Sequence, residues 1–314
     1  MRTRPLGKTG LQVSELALGT WGLCGEAYVP VPEFQQDKVI ERACALGITL
    51  VETADVYGLG LMESRLGERL GANEAVMIAT KIGTDRSEKP PRKRFSLEYL
   101  RSAFEKSRDR LKRQVVDIVL LHNPSAVTLE RGEATGLLAE LKSSGVIRAW
   151  GVSAGSVEVA RRAIERGAEV LSVAYNALFS GDLVELHADL EKAGTGVLAH
   201  SALGHGLLAG YWSLHRTFQQ GDHRAERWTS EDLRRRVQQV SALRALMGDD
   251  VTTLRGGAVR YVLSNSDVSS VILGPRNAVQ LDQLVRESGQ EPPYLTEEKL
   301  KKFALRLEDL GIRR

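Results

Sequence analysis

Short apolar runs recur along this chain at a nearly constant interval, and that interval limits the folds open to it. The runs are residues 16–20, 49–53, 76–81, 116–121, 147–152, 170–174, 196–200 and 269–273. From the first to the seventh, the starts span 180 residues in six steps, an average of 30 per step. Thirty residues is the size of one strand–helix unit. Each run is nearly continuous in apolar residues rather than alternating, as a strand covered on both faces should be. The segments between the runs show helical spacing. Leu97, Leu100, Phe104 and Leu111 fall on one face behind Ser96, and Val157, Ala160, Ala163 and Ile164 behind Ser156, each serine an N-cap candidate. Leu233, Val237, Val240 and Met247 mark a further helix after a polar stretch at 213–232.

Eight strands with helices between them, and no proline- or serine-rich linker, predict one α/β domain over residues 1–314, a closed (β/α)8 TIM barrel. An open doubly wound sheet would more often carry a glycine-rich phosphate turn after its first strand, and this chain has none there. Lys8-Thr9-Gly10 between short extended stretches predicts an N-terminal β-hairpin. The long gap before the eighth run holds a loop around 213–230 and at least one extra helix, so extra helices are expected toward the C-terminus. Such loops usually shape the ligand site.

Composition narrows the partners. A chain of 314 residues with 42% hydrophobic and 26% charged residues has an ample core and is not disordered. A net charge of +3 is too mild to predict a nucleic-acid partner. The apolar runs are too short for a membrane span, and although Arg2 and Arg4 open the chain, Lys8, Gln12 and Glu15 leave no room for a secretory apolar stretch. Cys24 and Cys44 have no metal spacing and predict a reducing cytoplasm. Gly7-Lys8-Thr9 is no phosphate loop, since Arg2 holds the upstream glycine position, and Gly58-Leu59-Gly60 lacks its third glycine at Glu63. His200 and His205 lack helical metal spacing, so no metal is expected.

The carboxyl ends of barrel strands face the active-site mouth. Those ends supply Glu52 and Tyr57, Lys81, His122, Ser153, Tyr175-Asn176, His200-Ser201, and residues 274–276. Tyrosine near its free pKa of about 10 donates a proton poorly at neutral pH. A neighbouring ammonium such as Lys81 stabilises the phenolate, and a carboxylate, Glu52, would hold the lysine. His122 would bond a substrate carbonyl or share the donor role. The set suits proton delivery to an oxygen gaining negative charge, as when hydride attacks a carbonyl carbon. No side chain supplies hydride, so a nicotinamide cofactor is required.

With those residues in place, the chain resembles the aldo-keto reductase family essentially end to end. The resemblance covers residues 6–14, 18–22, 53–58, 79–81, 117–122, 145–148, 151–153, 206–210 and 271–274. It implies a barrel that binds NADP(H) across its strand ends. Tyr57 is then the general acid, Lys81 its activator and His122 the carbonyl-orienting partner. Ser153 contacts the nicotinamide carboxamide, and Ser201, Leu203 and Gly204 the pyrophosphate. Gly274, Arg276 and Gln280 surround the 2′-phosphate and adenine, Arg276 as a permanent planar donor. Asn277 and Gln280 also read as a helix-capping pair. Trp21, Tyr57 and His122 would line the pocket of a small apolar or aromatic carbonyl substrate.

Departures from the family pattern gather at the nicotinamide. Glu52 stands where the family has aspartate, and its extra methylene would push or rotate Lys81. Ala154 replaces an asparagine, Ser172 a glutamine, and His200 the stacking tyrosine, while Gln283 and Leu284 replace a glutamate–asparagine pair. The reading is an NADPH-dependent reductase of aldehydes or ketones, slow because of Glu52. The alternative is an NADP(H)-binding sensor or partner-binding protein on the same barrel with little or no catalysis.

Overall fold

The structure, a computed structural model, describes all residues except 27, 88–90, 249, 290 and 313–314. Its strands are β1 (Thr3–Pro5), β2 (Gln12–Ser14), β3 (Leu16–Gly19), β4 (Leu50–Glu52), β5 (Met77–Ile82), β6 (Thr84–Asp85) and β7 (Arg92–Lys93). They continue with β8 (Val116–His122), β9 (Ile147–Ser153), β10 (Val170–Ala174), β11 (Gly196–His200) and β12 (Val268–Leu273). Strands β3, β4, β5, β8, β9, β10, β11 and β12 pair in that order, all parallel, and β12 closes onto β3. This is the (β/α)8 barrel expected from the 30-residue recurrence.

Successive side chains of a strand point to opposite faces, so one parity fills the lumen and the other meets the helices. Leu50, Ala79, Leu120, Ala149, Val170 and Leu198 belong to the inner cluster. Val51, Ile78, Val119, Val152, Leu171 and Val197 belong to the outer one. Both faces are covered, which explains the unbroken apolar runs. Two residues further along the inner parity come Glu52, Lys81, His122, Ser172 and His200, and Ser153 shares it on β9. Polar groups therefore crown an apolar lumen at the carboxyl ends of the strands.

The opposite end is plugged. Strands β1 and β2 form the expected antiparallel hairpin. Leu6, Leu11 and Val13 from it join the inner cluster. Fully burying a leucine such as Leu6 contributes roughly 1.5–3 kcal/mol. The turn lies on the start of β11, where Lys8 N donates to Gly194 O at 2.8 Å. Gly7 has φ of +50°, and a Cβ there would stand 2.3 Å from Gly196 N. Glycine is required at that contact on both counts.

Two capping expectations end differently. Ser156 accepts from Val159 N and starts the helix Val157–Glu165. Ser96 precedes the helix Leu97–Leu111 without a side-chain capping bond. The helix expected through Met247 is shorter: Ser230–Gln239 is α-helical, Val240–Leu246 tightens into a 3-10 helix, and Met247 is extended. Val240, Leu243 and Leu246 are buried at a spacing of three, which the 3-10 repeat aligns on one face. The helix Glu297–Asp309 covers this turn with Phe303 and Leu307 buried. No described helix is long and apolar enough to cross a membrane.

Candidate active site

A cavity of about 760 Å³ opens at the carboxyl ends of the barrel strands. Its size falls in the range of small-molecule sites. Glu52, Tyr57, Lys81, His122, Ser153, His200, Ser201, Leu203, Gly274, Arg276, Gln280 and Trp21 all line it. Gly204 and Ser172 do not. Ser172 faces the lumen deeper than Ala174, and serine is too short to reach the cavity wall where a glutamine would. Its Oγ is buried with no hydrogen-bond partner.

Lys81 organises the site. It is 3% exposed, and an ammonium has three protons to place. One goes to the Glu52 carboxylate, one to Thr53 O at 2.9 Å, and one to the Tyr57 phenol oxygen at 3.0 Å. Glu52 thus reaches Lys81 without displacing it from Tyr57, contrary to the expectation that the extra methylene would push the lysine away. Because Tyr57 accepts from Lys81, its own hydroxyl proton is left for a ligand. Burial pulls Lys81 down to about 7, with the Lys93 ammonium acting in the same sense. Burial raises the Tyr57 phenol above its ordinary value, with Cys24 and Asp55 adding to it, so the hydroxyl is protonated at neutral pH.

His122 stands across from the phenol, with ring centroids 6.3 Å apart and planes nearly perpendicular. Burial holds its imidazole well below the usual histidine range, aided by Lys81, Lys93 and His200. It is therefore neutral, and its Nδ1 is buried without a partner among the described residues. Lys93, on the β6–β7 hairpin, fixes the turn beyond it by donating to His122 O at 2.8 Å. Ser153 donates to Asn123 Oδ1 at 3.0 Å, and His200 Nδ1 meets Ser201 Oγ at 3.0 Å. Burial drives His200 down to about 4. Asn123, Ser201, His205 and Leu59 hold left-handed backbone in the rim loops, strain of a kind that gathers at functional sites.

At the far end, Arg276 donates to Val29 O, while its Nε is buried without a partner among the described residues. Gln280 accepts from Arg276 N at 2.9 Å, and Asn277 Oδ1 caps the helix Ala278–Glu287 by accepting from Gln280 N at 2.8 Å. The capping geometry read from the sequence is present, and Gln280 still borders the cavity.

The sequence placed Trp21 and the long loop at the pocket but did not show that they join into one aromatic wall. Trp21 meets Tyr28 and His205 edge-on and lies 4.7 Å from the His223 ring. Arg224 lies 4.7 Å from the ring centroids of both Tyr28 and Phe218, and Asp222, 5% exposed, grips its guanidinium at 2.5–3.1 Å. These residues come from the loop after β3 and the long loop after β11. The only signal was that loop's length and its Trp212, Phe218 and Trp228. Behind Tyr57, the Asp55 Oδ1 is buried without a partner among the described residues. Burial, then the Glu63 carboxylate, push Asp55 up to about 8.

Comparison with known proteins settles the family. The model of the aldo/keto reductase family matches residues 15–299. This chain belongs to the aldo/keto reductase family. It is 28% identical to an L-galactose dehydrogenase of Arabidopsis thaliana, over 90% of this chain and 86% of that one. Against the aldo-keto reductase YhdN of Bacillus subtilis the identity is 29%, over 92% and 89%. Among solved structures, a glycerol dehydrogenase from Gluconobacter oxydans superimposes with a TM-score of 0.84 at 25% identity, covering 99% of this chain and 97% of that one. An aldo-keto reductase from Bacillus halodurans in its holo form shares the fold, with a TM-score of 0.81 at 22% identity over 98% and 96%. Membership makes the protein an oxidoreductase of a family that works with nicotinamide cofactors and small carbonyl compounds.

Proposed function

We propose that this aldo/keto reductase is an NADPH-dependent reductase of aldehydes or ketones in which Tyr57 is the general acid. The observation that carries the reading is the bond from Lys81 to the Tyr57 oxygen at 3.0 Å, with Glu52 on the lysine's other side. That bond aims the phenol proton outward and stabilises the phenolate left once the proton is given.

The residues fit a nicotinamide dinucleotide. Ser153 and the neutral His200 would hold the nicotinamide end, Ser201 and Leu203 the pyrophosphate. Arg276, with an unpartnered buried Nε, would meet the adenosine phosphate beside Gln280 and Gly274. When bound, the dihydronicotinamide supplies hydride to the carbonyl carbon. The chain's own part is then electrostatic and protonic. Neutral His122 offers a hydrogen bond that orients the carbonyl oxygen, and Tyr57 delivers a proton to that oxygen as charge builds on it. Lys81 compensates the developing phenolate, and Glu52 keeps the lysine in place. Trp21, Tyr28 and Trp212 on the cavity wall favour a planar aromatic substrate.

Ala154 and the recessed Ser172 weaken the grip on the carboxamide and favour the second reading, a cofactor-binding protein with little turnover. The complete donor set of Lys81 weighs for catalysis. NADPH fluorescence titration, followed by NADPH consumption with a panel of aromatic aldehydes, separates the two. Turnover with at least one aldehyde is expected. Tight binding without consumption across the panel would leave the sensor reading standing.

A further inference from the structure

Beside the main cavity lies a second one of about 390 Å³, built largely by the long loop after β11. Arg216, Thr217, Gln219 and Asp222 from that loop line it, together with Arg224 and Arg276. Arg224 and Arg276 also line the main cavity, so the two spaces meet at this pair of guanidiniums.

The charges do not cancel. Asp222 is buried and grips Arg224, so that pair is neutral. Among the described residues, the Arg276 guanidinium is tied only to neutral groups: the Val29 carbonyl, and the Tyr28 ring at 5.5 Å. No described carboxylate pairs with Arg216, whose guanidinium lies 5.4 Å from the Phe218 ring centroid. Three guanidiniums against one carboxylate leave two positive charges around the cavity. A phosphate monoester carries about −1.5 to −2 at neutral pH. Thr217 and Gln219 add neutral donors, and a guanidinium fork matches phosphate oxygens with two bonds at once.

We propose that this second cavity is a phosphate-monoester seat, and that Arg216 reaches across from the loop to share the dinucleotide's 2′-phosphate with Arg276. This rests on the NADPH reading above and adds to it a loop residue that sets the choice between NADPH and NADH. Arg216 lies outside the described helices and strands and is solvent-exposed, so its replacement leaves the barrel intact.

The test is the dissociation constant for each dinucleotide, by fluorescence titration of wild type, Arg216→Ala and Arg216→Lys. Arg216→Ala is expected to weaken NADPH roughly 10- to 100-fold, as for loss of a charge-assisted bond, and to leave NADH unchanged. Arg216→Lys should recover part of the loss. Equal weakening of both dinucleotides, or no change in either, would overturn the seat. So would an unchanged NADPH affinity accompanied by a raised KM for a phosphorylated aldehyde, which would make the phosphate the substrate's. Failure of the wild type to bind NADPH at all would instead count against the NADPH reading itself.

Discussion

The Lys81 ammonium donates to the Tyr57 phenol oxygen across 3.0 Å, at the end of a strand whose other inward side chains, Met77 and Ala79, are apolar. Its remaining protons go to Glu52 and Thr53 O, so the lysine is held from below and aims at the phenol. Lys81→Met keeps the length and the packing but removes the charge. It should lower kcat for aldehyde reduction by roughly 10²- to 10⁴-fold, the usual worth of assisted proton transfer. NADPH affinity by titration should hold within a few-fold, and a kcat within tenfold of wild type would show that Lys81 does not act.

Glu52 gives a sharper test. It contacts Lys81 while the lysine keeps its bond to Tyr57, so we expect the longer side chain to serve this barrel. Glu52→Asp withdraws the carboxylate by one methylene. Steady-state kinetics should show kcat falling, by up to about 100-fold if the lysine moves by 1 Å. A rise in kcat would mean that glutamate limits the native enzyme.

The pH profile follows from the environment of Lys81. Burial brings it to about 7, so the ammonium is present below that pH and lost above it. The kcat/KM for reduction should therefore fall as pH rises through neutrality. Lys93 pushes Lys81 in the same direction as burial, so Lys93→Met should move the falling limb to higher pH. A flat profile from pH 6 to 8 contradicts this.

Asp55 predicts a pH-dependent stability. Burial raises its folded pKa to about 8 from an ordinary 3.8, so between those values the folded state keeps a proton that the unfolded chain releases. The unfolding free energy falls with pH wherever the folded state binds more protons. This stability contribution is full below about pH 4 and is lost as pH rises toward 8. Asp55→Asn should flatten that part of the curve and raise Tm at pH 8 relative to wild type. Thermal unfolding at pH 5 and 8 measures it, and an identical pH slope in both proteins contradicts it.

Much of this was legible in the chain because its strands are buried on both faces. Residues 170–174 and 196–200 were bounded by their apolar runs alone and match β10 and β11. The strand-end logic brought Glu52, Lys81, His122 and Ser153 to one rim. What stayed hidden has no periodic signature. The β6–β7 hairpin has two residues on each side, Thr84-Asp85 and Arg92-Lys93, all polar, and its placement of Lys93 over His122 is a tertiary fact. The stacking of Arg224 between Tyr28 and Phe218 joins positions almost 200 residues apart through loops. Ser172 was placed with the cofactor by its position in the pattern, but side-chain length decides reach, and serine falls short.

The most direct measurement pairs turnover with binding in Tyr57→Phe. The account predicts that NADPH binds the variant within a few-fold of wild type by fluorescence titration, while consumption of NADPH with an aromatic aldehyde falls roughly 10²- to 10⁴-fold. Turnover retained at the wild-type rate in Tyr57→Phe would contradict the assignment of Tyr57 as the proton donor.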